Sequence, residues 1–218
     1  MLVNFSTVLV FKDKKGDYFL MKCRFLALII LVICIGPVHS DPYTKELVAV
    51  CTSCHGSEGV SLLPTFPNLA GQGKQYLLKQ LMDVREGKRE IPSMMGLLDN
   101  MSDKDLLLIA EFYEGKKRQF GFAKTDLVEM GKSIYRSGIP RKQIAACASC
   151  HSPNGMGNGP ARFPLLAGQW EEYIVDQLRA FQRGERKNDG DSQMMRGVAK
   201  DLTELEMEAV ASYLRGLR

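Results

Sequence analysis

Two five-residue boxes, Cys51-Thr52-Ser53-Cys54-His55 and Cys147-Ala148-Ser149-Cys150-His151, hold the most reactive side chains of this 218-residue chain. Cys-x-x-Cys-His is the attachment sequence for a c-type haem. Thiols at this spacing sit about one helical turn apart, so both can add to the vinyl groups of one porphyrin. The adjoining imidazole then falls beneath the iron as its proximal ligand. Disulfides, a Cys₄ zinc site and a redox-active dithiol are the competing uses of such thiols. Each of them leaves a histidine directly after the second cysteine, twice, without a purpose. The boxes therefore predict two covalently bound c-type haems, held by Cys51, Cys54, Cys147 and Cys150, with His55 and His151 as iron ligands.

The N-terminus reads as an export signal. Met21-Lys22-Cys23-Arg24 is a short basic region, and an apolar run from Phe25 to Ile35 follows it. Gly36 and Pro37 end that run, and Val38 and Ser40 occupy the −3 and −1 positions of a cleavage site before Asp41. The run is too short to cross a bilayer, which takes about 20 apolar residues. Ile33, ahead of Cys34, is too bulky for a lipid-anchor site. Residues 1–20 precede a methionine that would itself start such a signal, so residues 1–40 are set apart from the fold. The remainder has 24 basic and 23 acidic residues, and every cysteine and histidine in it belongs to a box. A nearly balanced, interspersed charge excludes a dedicated nucleic-acid binder. With 45% apolar and 25% charged residues, the chain can bury a core, which excludes disordered and collagen-like classes.

The boxes must be carried by something, and the chain carries it twice. Phe66-Pro67-Asn68-Leu69-Ala70-Gly71-Gln72 recurs as Phe163-Pro164-Leu165-Leu166-Ala167-Gly168-Gln169, and Tyr76, Gln80, Leu81 and Gly87 recur as Tyr173, Gln177, Leu178 and Gly184. Met94-x-Gly96 returns as Met195-x-Gly197 after four extra residues in the second copy. An offset that drifts only by small insertions marks an internal duplication. In each copy a helical segment leads into the box: Thr44–Val50 in the first, Glu129–Ser137 in the second. Helical apolar spacing then recurs over Lys74–Glu86 and Glu171–Arg183, with Gly87 and Gly184 suited to end those helices. Capping-box patterns, Ser102-x-x-Asp105 and Thr203-x-x-Glu206, open the last helix of each copy. No strand pattern persists. The expected fold is all-α, two tandem cytochrome c-like domains over residues 41–123 and 124–218, with a linker near 114–125.

Each iron has a further axial position, and no histidine is left to fill it. A thioether is a soft ligand that raises the haem potential, and the pairs Met94-Met95 and Met194-Met195 stand at corresponding places before the last helices. Core packing is the ordinary use of methionine. Adjacent residues cannot both face one iron, and aligning Met-x-Gly with Met-x-Gly selects Met94 and Met195, with Met95 and Met194 as alternatives. A haem capped on both faces transfers electrons and leaves no face for substrate.

With both boxes, Asn68-Leu69-Ala70-Gly71-Gln72-Gly73, Tyr76-Leu77-Leu78-Lys79-Gln80-Leu81, and Asn188-Asp189-Gly190-Asp191 leading to Met195-Arg196-Gly197, the chain closely resembles the cytochrome c4 family from about Thr44 to Arg218. The resemblance implies two cytochrome c folds about a pseudo-twofold axis, their haem propionates facing each other. It implies a periplasmic carrier between a quinol-oxidising complex and a terminal oxidase, free or loosely membrane-associated, and not an enzyme. It also implies that the Pro67 and Pro164 carbonyls orient His55 and His151. One departure is visible: copy two has Gly131 in its first helix for close contact with the last helix, whereas copy one begins short and without glycine. That predicts a truncated or differently packed first helix in copy one.

The first domain carries 10 basic and 11 acidic residues and the second 14 and 12, and Lys116-Lys117-Arg118 could contribute to partner docking. Two other functions fit the same boxes: the electron-accepting subunit of a periplasmic dehydrogenase, and a dihaem peroxidase. The second lacks a spare histidine for distal acid–base work.

Overall fold

The computed structural model describes residues 8–12, 18–22 and 41–218, which fall into two units divided after Ser40. The first unit contains an antiparallel hairpin of β1 (Val8–Lys12) and β2 (Tyr18–Lys22), with Val8 opposite Lys22. Its backbone reaches the start of the expected signal peptide. The apolar run and the cleavage site lie outside the described residues. Among the described residues, no helix is long and apolar enough to cross a membrane.

Residues 41–218 are helical, with two isolated bridges, Ile139–Ile144 and Asn158–Phe163, in place of any sheet. The first copy comprises α1 (Pro42–His55), α2 (Lys74–Arg85) and α3 (Asp103–Glu114). The second comprises α4 (Val128–Ser137), α5 (Ala148–His151), α6 (Glu171–Gln182), α7 (Met194–Ala199) and α8 (Glu204–Gly216). Local chemistry sets the ends. Asp41 caps α1 by accepting from the Thr44 N–H at 3.1 Å, with Pro42 in the first turn, where a missing N–H costs nothing. Both capping boxes form, Ser102 with Asp105 and Thr203 with Glu206. Gly87 and Gly184 take φ of +71° and +69° just beyond α2 and α6, a backbone that side chains with a Cβ rarely adopt.

Two apolar cores result. One joins Val48, Leu77, Leu106, Ile109 and Tyr113, and the other joins Ile134, Tyr135, Leu178, Phe181, Met207 and Val210. The last helix is the central strut of each copy: α3 packs against α1 and α2, and α8 packs against α4 and α6. The copies differ where the sequence departs. In copy one a single helix runs from Pro42 through the haem box, burying Thr44 and Val48. In copy two Gly138 (φ +69°) and a 3₁₀ turn at Pro140–Lys142 separate α4 from the box. The first domain therefore has no separate N-terminal helix. The connection after α3 lies along α8, where Gly121 N–H donates to the Arg215 carbonyl at 3.0 Å and Lys124 N–H to Ser212 Oγ at 2.8 Å.

Candidate haem sites

Each box sits at a helix end, so its two thiols and its imidazole reach one side of the backbone together. α1 carries Cys51, Cys54 and His55, and its C-terminus turns sharply at Gly56. There φ is +76° and a Cβ would stand 2.2 Å from the Val60 carbonyl oxygen. In the second box Cys147 caps the short α5, which ends on His151. No disulfide joins these thiols. No cluster of three or more His, Cys, Asp or Glu side chains converges among the described residues, which argues against a Cys₄ zinc site. Burial pushes the Cys147 thiol up to about 11 and raises Cys51 as well, opposite to the depression that activates a redox dithiol.

Both histidines are buried, at 8% and 6% exposure, and each is held from behind. His55 Nδ1 lies 2.9 Å from the Pro67 carbonyl oxygen, and His151 Nδ1 lies 3.0 Å from that of Pro164. A carbonyl only accepts, so Nδ1 must carry the proton, which leaves Nε2 as the free lone pair. Burial holds both imidazoles below their ordinary pKa, against the opposing pull of the proline carbonyls, and so favours the neutral, ligating form.

A continuous cavity of about 880 Å³ is lined by all four cysteines and both histidines. Its walls are mainly apolar, with Leu77, Leu81 and Val84 on one side and Ile174, Leu178 and Phe181 on the other. Met94 and Met195 also line it. Met95 is 80% exposed and lies away from it, whereas Met194, 46% exposed, touches its edge. Met195 packs on the second core, at the start of α7. Its segment is pinned: Asp189 accepts from Arg196 Nε at 2.8 Å and from the Arg196 N–H at 3.0 Å. Asp189 belongs to the stretch that the second copy adds. Met94 packs likewise on the first core, and its segment is held by short turns, Met94 N–H to the Ile91 carbonyl, Met95 N–H to the Pro92 carbonyl and Leu97 N–H to the Met94 carbonyl.

Between the two halves of the cavity lies a polar cluster that the sequence reading missed. Arg89, 9% exposed, donates to Tyr173 Oη and Gln177 Oε1 of the other copy, both at 3.0 Å, and to its own Gln80 at 2.9 Å. Arg186 mirrors it, donating to Tyr76 Oη at 3.1 Å and Gln80 Oε1 at 3.0 Å across the boundary, and to Gln177 at 2.8 Å within its own copy. The signal was present, since Arg89 and Arg186 share the offset of Tyr76–Tyr173 and Gln80–Gln177. Lys79 joins them, paired with Asp83, the one carboxylate in the cluster. Three cations against one anion in a buried place call for further negative charge. A porphyrin needs apolar walls, thiols and an imidazole at one edge, and cations for its propionates. The residues fit that group in both halves.

Residues 128–218 match the family model described as Cytochrome c, and residues 43–112 match Cytochrome C oxidase, cbb3-type, subunit III. Cytochrome c4 of Azotobacter vinelandii is 44% identical over 178 residues, covering 78% of this chain and 85% of that relative. A protein of Stutzerimonas stutzeri named Thiosulfate dehydrogenase electron acceptor is 35% identical, covering 81% of this chain and 82% of its own length. The crystal structure of reduced recombinant cytochrome c4 from Pseudomonas stutzeri superposes with a TM-score of 0.79 at 43% identity, covering 81% of this chain and 97% of that one. With two Cys-x-x-Cys-His boxes opening on one shared cavity and these relatives over most of its length, the chain belongs to the cytochrome c4 family, electron-transfer proteins that carry two covalent c-type haems.

Proposed function

We propose that this protein is a periplasmic carrier that takes electrons from a quinol-oxidising complex and delivers them to a terminal oxidase, through two His/Met-ligated haems in domains 41–123 and 124–218. The single observation that carries the carrier reading is the shared cavity: both boxes line it, so the redox centres exchange electrons across one buried, polar boundary. Haem supplies reversible one-electron chemistry at its iron when bound. The chain's own residues supply the rest. Cys51, Cys54, Cys147 and Cys150 fix the group covalently. His55 and His151 present neutral Nε2 lone pairs, their tautomer set by Pro67 and Pro164. Met94 and Met195, which line the cavity, would offer thioethers to the irons, and the exposure of Met95 supports the choice within the first pair. Arg89, Arg186 and Lys79 would hold negative charge between the halves.

Export rests on the layout of residues 21–40, and the released chain is read as free or loosely membrane-associated. A second reading keeps the same chemistry with a different donor. The relative named for thiosulfate dehydrogenase supports the role of electron acceptor to a periplasmic dehydrogenase. A dihaem peroxidase is not supported, since both histidines of residues 41–218 are bonded to proline carbonyls and neither is free for distal acid–base work.

The test is a redox titration of the exported, purified protein, followed by visible spectroscopy and carbon monoxide addition. Two one-electron waves at positive potential, a low-spin ferric spectrum with a sulfur-ligation band, and no rapid CO binding are expected. Met94→Ala and Met195→Ala should each lower one wave and open one iron to CO while the haem stays attached. A high-spin ferric spectrum or rapid CO binding in the unaltered protein would overturn His/Met ligation. Reduction by a dehydrogenase but not by a quinol-oxidising complex would select the second reading.

A further inference from the structure

The carbonyl of Pro67 and the N–H of Asn68 belong to one peptide group, and they point opposite ways. The carbonyl accepts from His55 Nδ1 at 2.9 Å, and the N–H donates to Oε1 of Gln169, in the other copy, at 2.8 Å. Gln169 completes a two-point grip by donating Nε2–H to the Asn68 carbonyl at 2.9 Å. The second copy returns the arrangement. The Pro164 carbonyl accepts from His151 at 3.0 Å, the Leu165 N–H donates to Oε1 of Gln72 at 2.8 Å, and Gln72 Nε2–H donates to the Leu165 carbonyl at 2.9 Å. Both glutamines are buried, Gln72 at 5% and Gln169 at 4% exposure. Each proximal histidine is therefore linked, through one peptide group, to a glutamine of the opposite domain.

Such a chain polarises. When a peptide N–H donates to an acceptor, electron density moves toward its carbonyl oxygen, which then accepts more strongly. A stronger acceptor at Nδ1–H makes Nε2 a better donor to the metal, as hydrogen-bond partners behind metal-binding histidines commonly do. More donation favours ferric over ferrous iron and lowers the potential. We propose that Gln169 and Gln72 are positioning residues that tune the proximal histidine crosswise: Gln169 sets His55, and Gln72 sets His151. The proposal rests on the reading of His55 and His151 as iron ligands. The two relays are unequal. Gln169 Oε1 also accepts from the Trp170 N–H at 3.0 Å, which divides its pull, whereas Gln72 Oε1 serves the Leu165 N–H. The effect on the His151 haem is the larger one.

The experiment uses the haem-loaded, full protein as wild type, Gln72→Leu, Gln169→Leu and, as control, Trp170→Phe. The control removes a different boundary bond, the side-chain Trp170 Nε1–H to the Ser61 carbonyl, and keeps the Trp170 backbone N–H that bonds Gln169 Oε1. Each haem's potential and the NMR signal of each histidine Nδ1 proton, assigned by domain, are followed through a redox titration. Gln72→Leu should raise the potential of the haem held by Cys147 and Cys150 and move the His151 proton. Gln169→Leu should act, more weakly, on the haem held by Cys51 and Cys54 and on His55. Trp170→Phe should give no such domain-selective change. Shifts confined to the variant's own domain, equal shifts of both haems, or no shift would overturn the proposal. If a leucine variant does not fold, Gln72→Asn and Gln169→Asn, which keep the amide but withdraw it, replace it with the same crossed expectation. Absence of the axial imidazole signals from the wild-type spectrum would instead refute the ligation reading itself, before any variant is compared.

Discussion

Gly131 of α4 lies so close to the carbonyl of Ala209 in α8 that a Cβ there would stand 2.0 Å from the Ala209 oxygen and 2.7 Å from the Tyr213 Cβ. The glycine lets two helices touch along their backbones at the crossing that closes the second domain. Gly131→Ala must push the helices apart, and overpacking of this kind costs about 1–3 kcal/mol. Denaturant unfolding of the haem-loaded protein should show the loss, with both haems still attached. In the first domain α1 also packs against α3, but neither helix contains a glycine, so that contact has no such backbone-to-backbone approach to lose.

The Asp189–Arg196 pair predicts unequal grip on the two methionine segments. A hydrogen bond to a charged partner contributes about 1.5–3 kcal/mol, so losing this one should favour local opening about tenfold or more. Asp189→Ala should let carbon monoxide reach the second reduced haem faster by that factor and leave the first haem unchanged. Stopped-flow CO binding measures it. Equal acceleration at both haems, or none, would mean that the pair does not hold the Met195 segment.

Glu206 predicts an acid-sensitive second domain. Burial alone would raise its pKa, but bonds from Lys142 at 2.6 Å and from the Thr203 N–H at 2.8 Å hold the carboxyl below the ordinary glutamate value. A depressed native pKa stabilises the fold above the unfolded-state value, and that contribution disappears as pH falls through the native one. Glu206→Gln keeps the capping-box length without the charge. Wild type should exceed this variant in stability at neutral pH, and the gap should close in acid. Urea unfolding across an acid pH series reads the gap directly, and a gap that persists in acid would contradict this account.

Much of this protein is written in short-range chemistry. Cys51, Cys54 and His55 declare a haem because attachment depends on neighbours within one helical turn, and the second box repeats the statement. Capping boxes, the glycines after α2 and α6, and the duplication are equally local, or follow from comparing the chain with itself. Tertiary structure decided the rest. Arg89 meets Tyr173, and Gln72 meets Leu165, across a boundary between residues far apart in sequence, where no periodicity can indicate which side chains converge. On α2 it is polar Gln80 and Asp83, not a continuous apolar stripe, that are buried beside Leu77, because the other domain supplies their partners. The repeat already favoured Met94 over Met95 through the shared Met-x-Gly pattern, but which way the turn at Pro92–Met94 faces, leaving Met95 exposed and Met94 on the cavity, is decided by the fold.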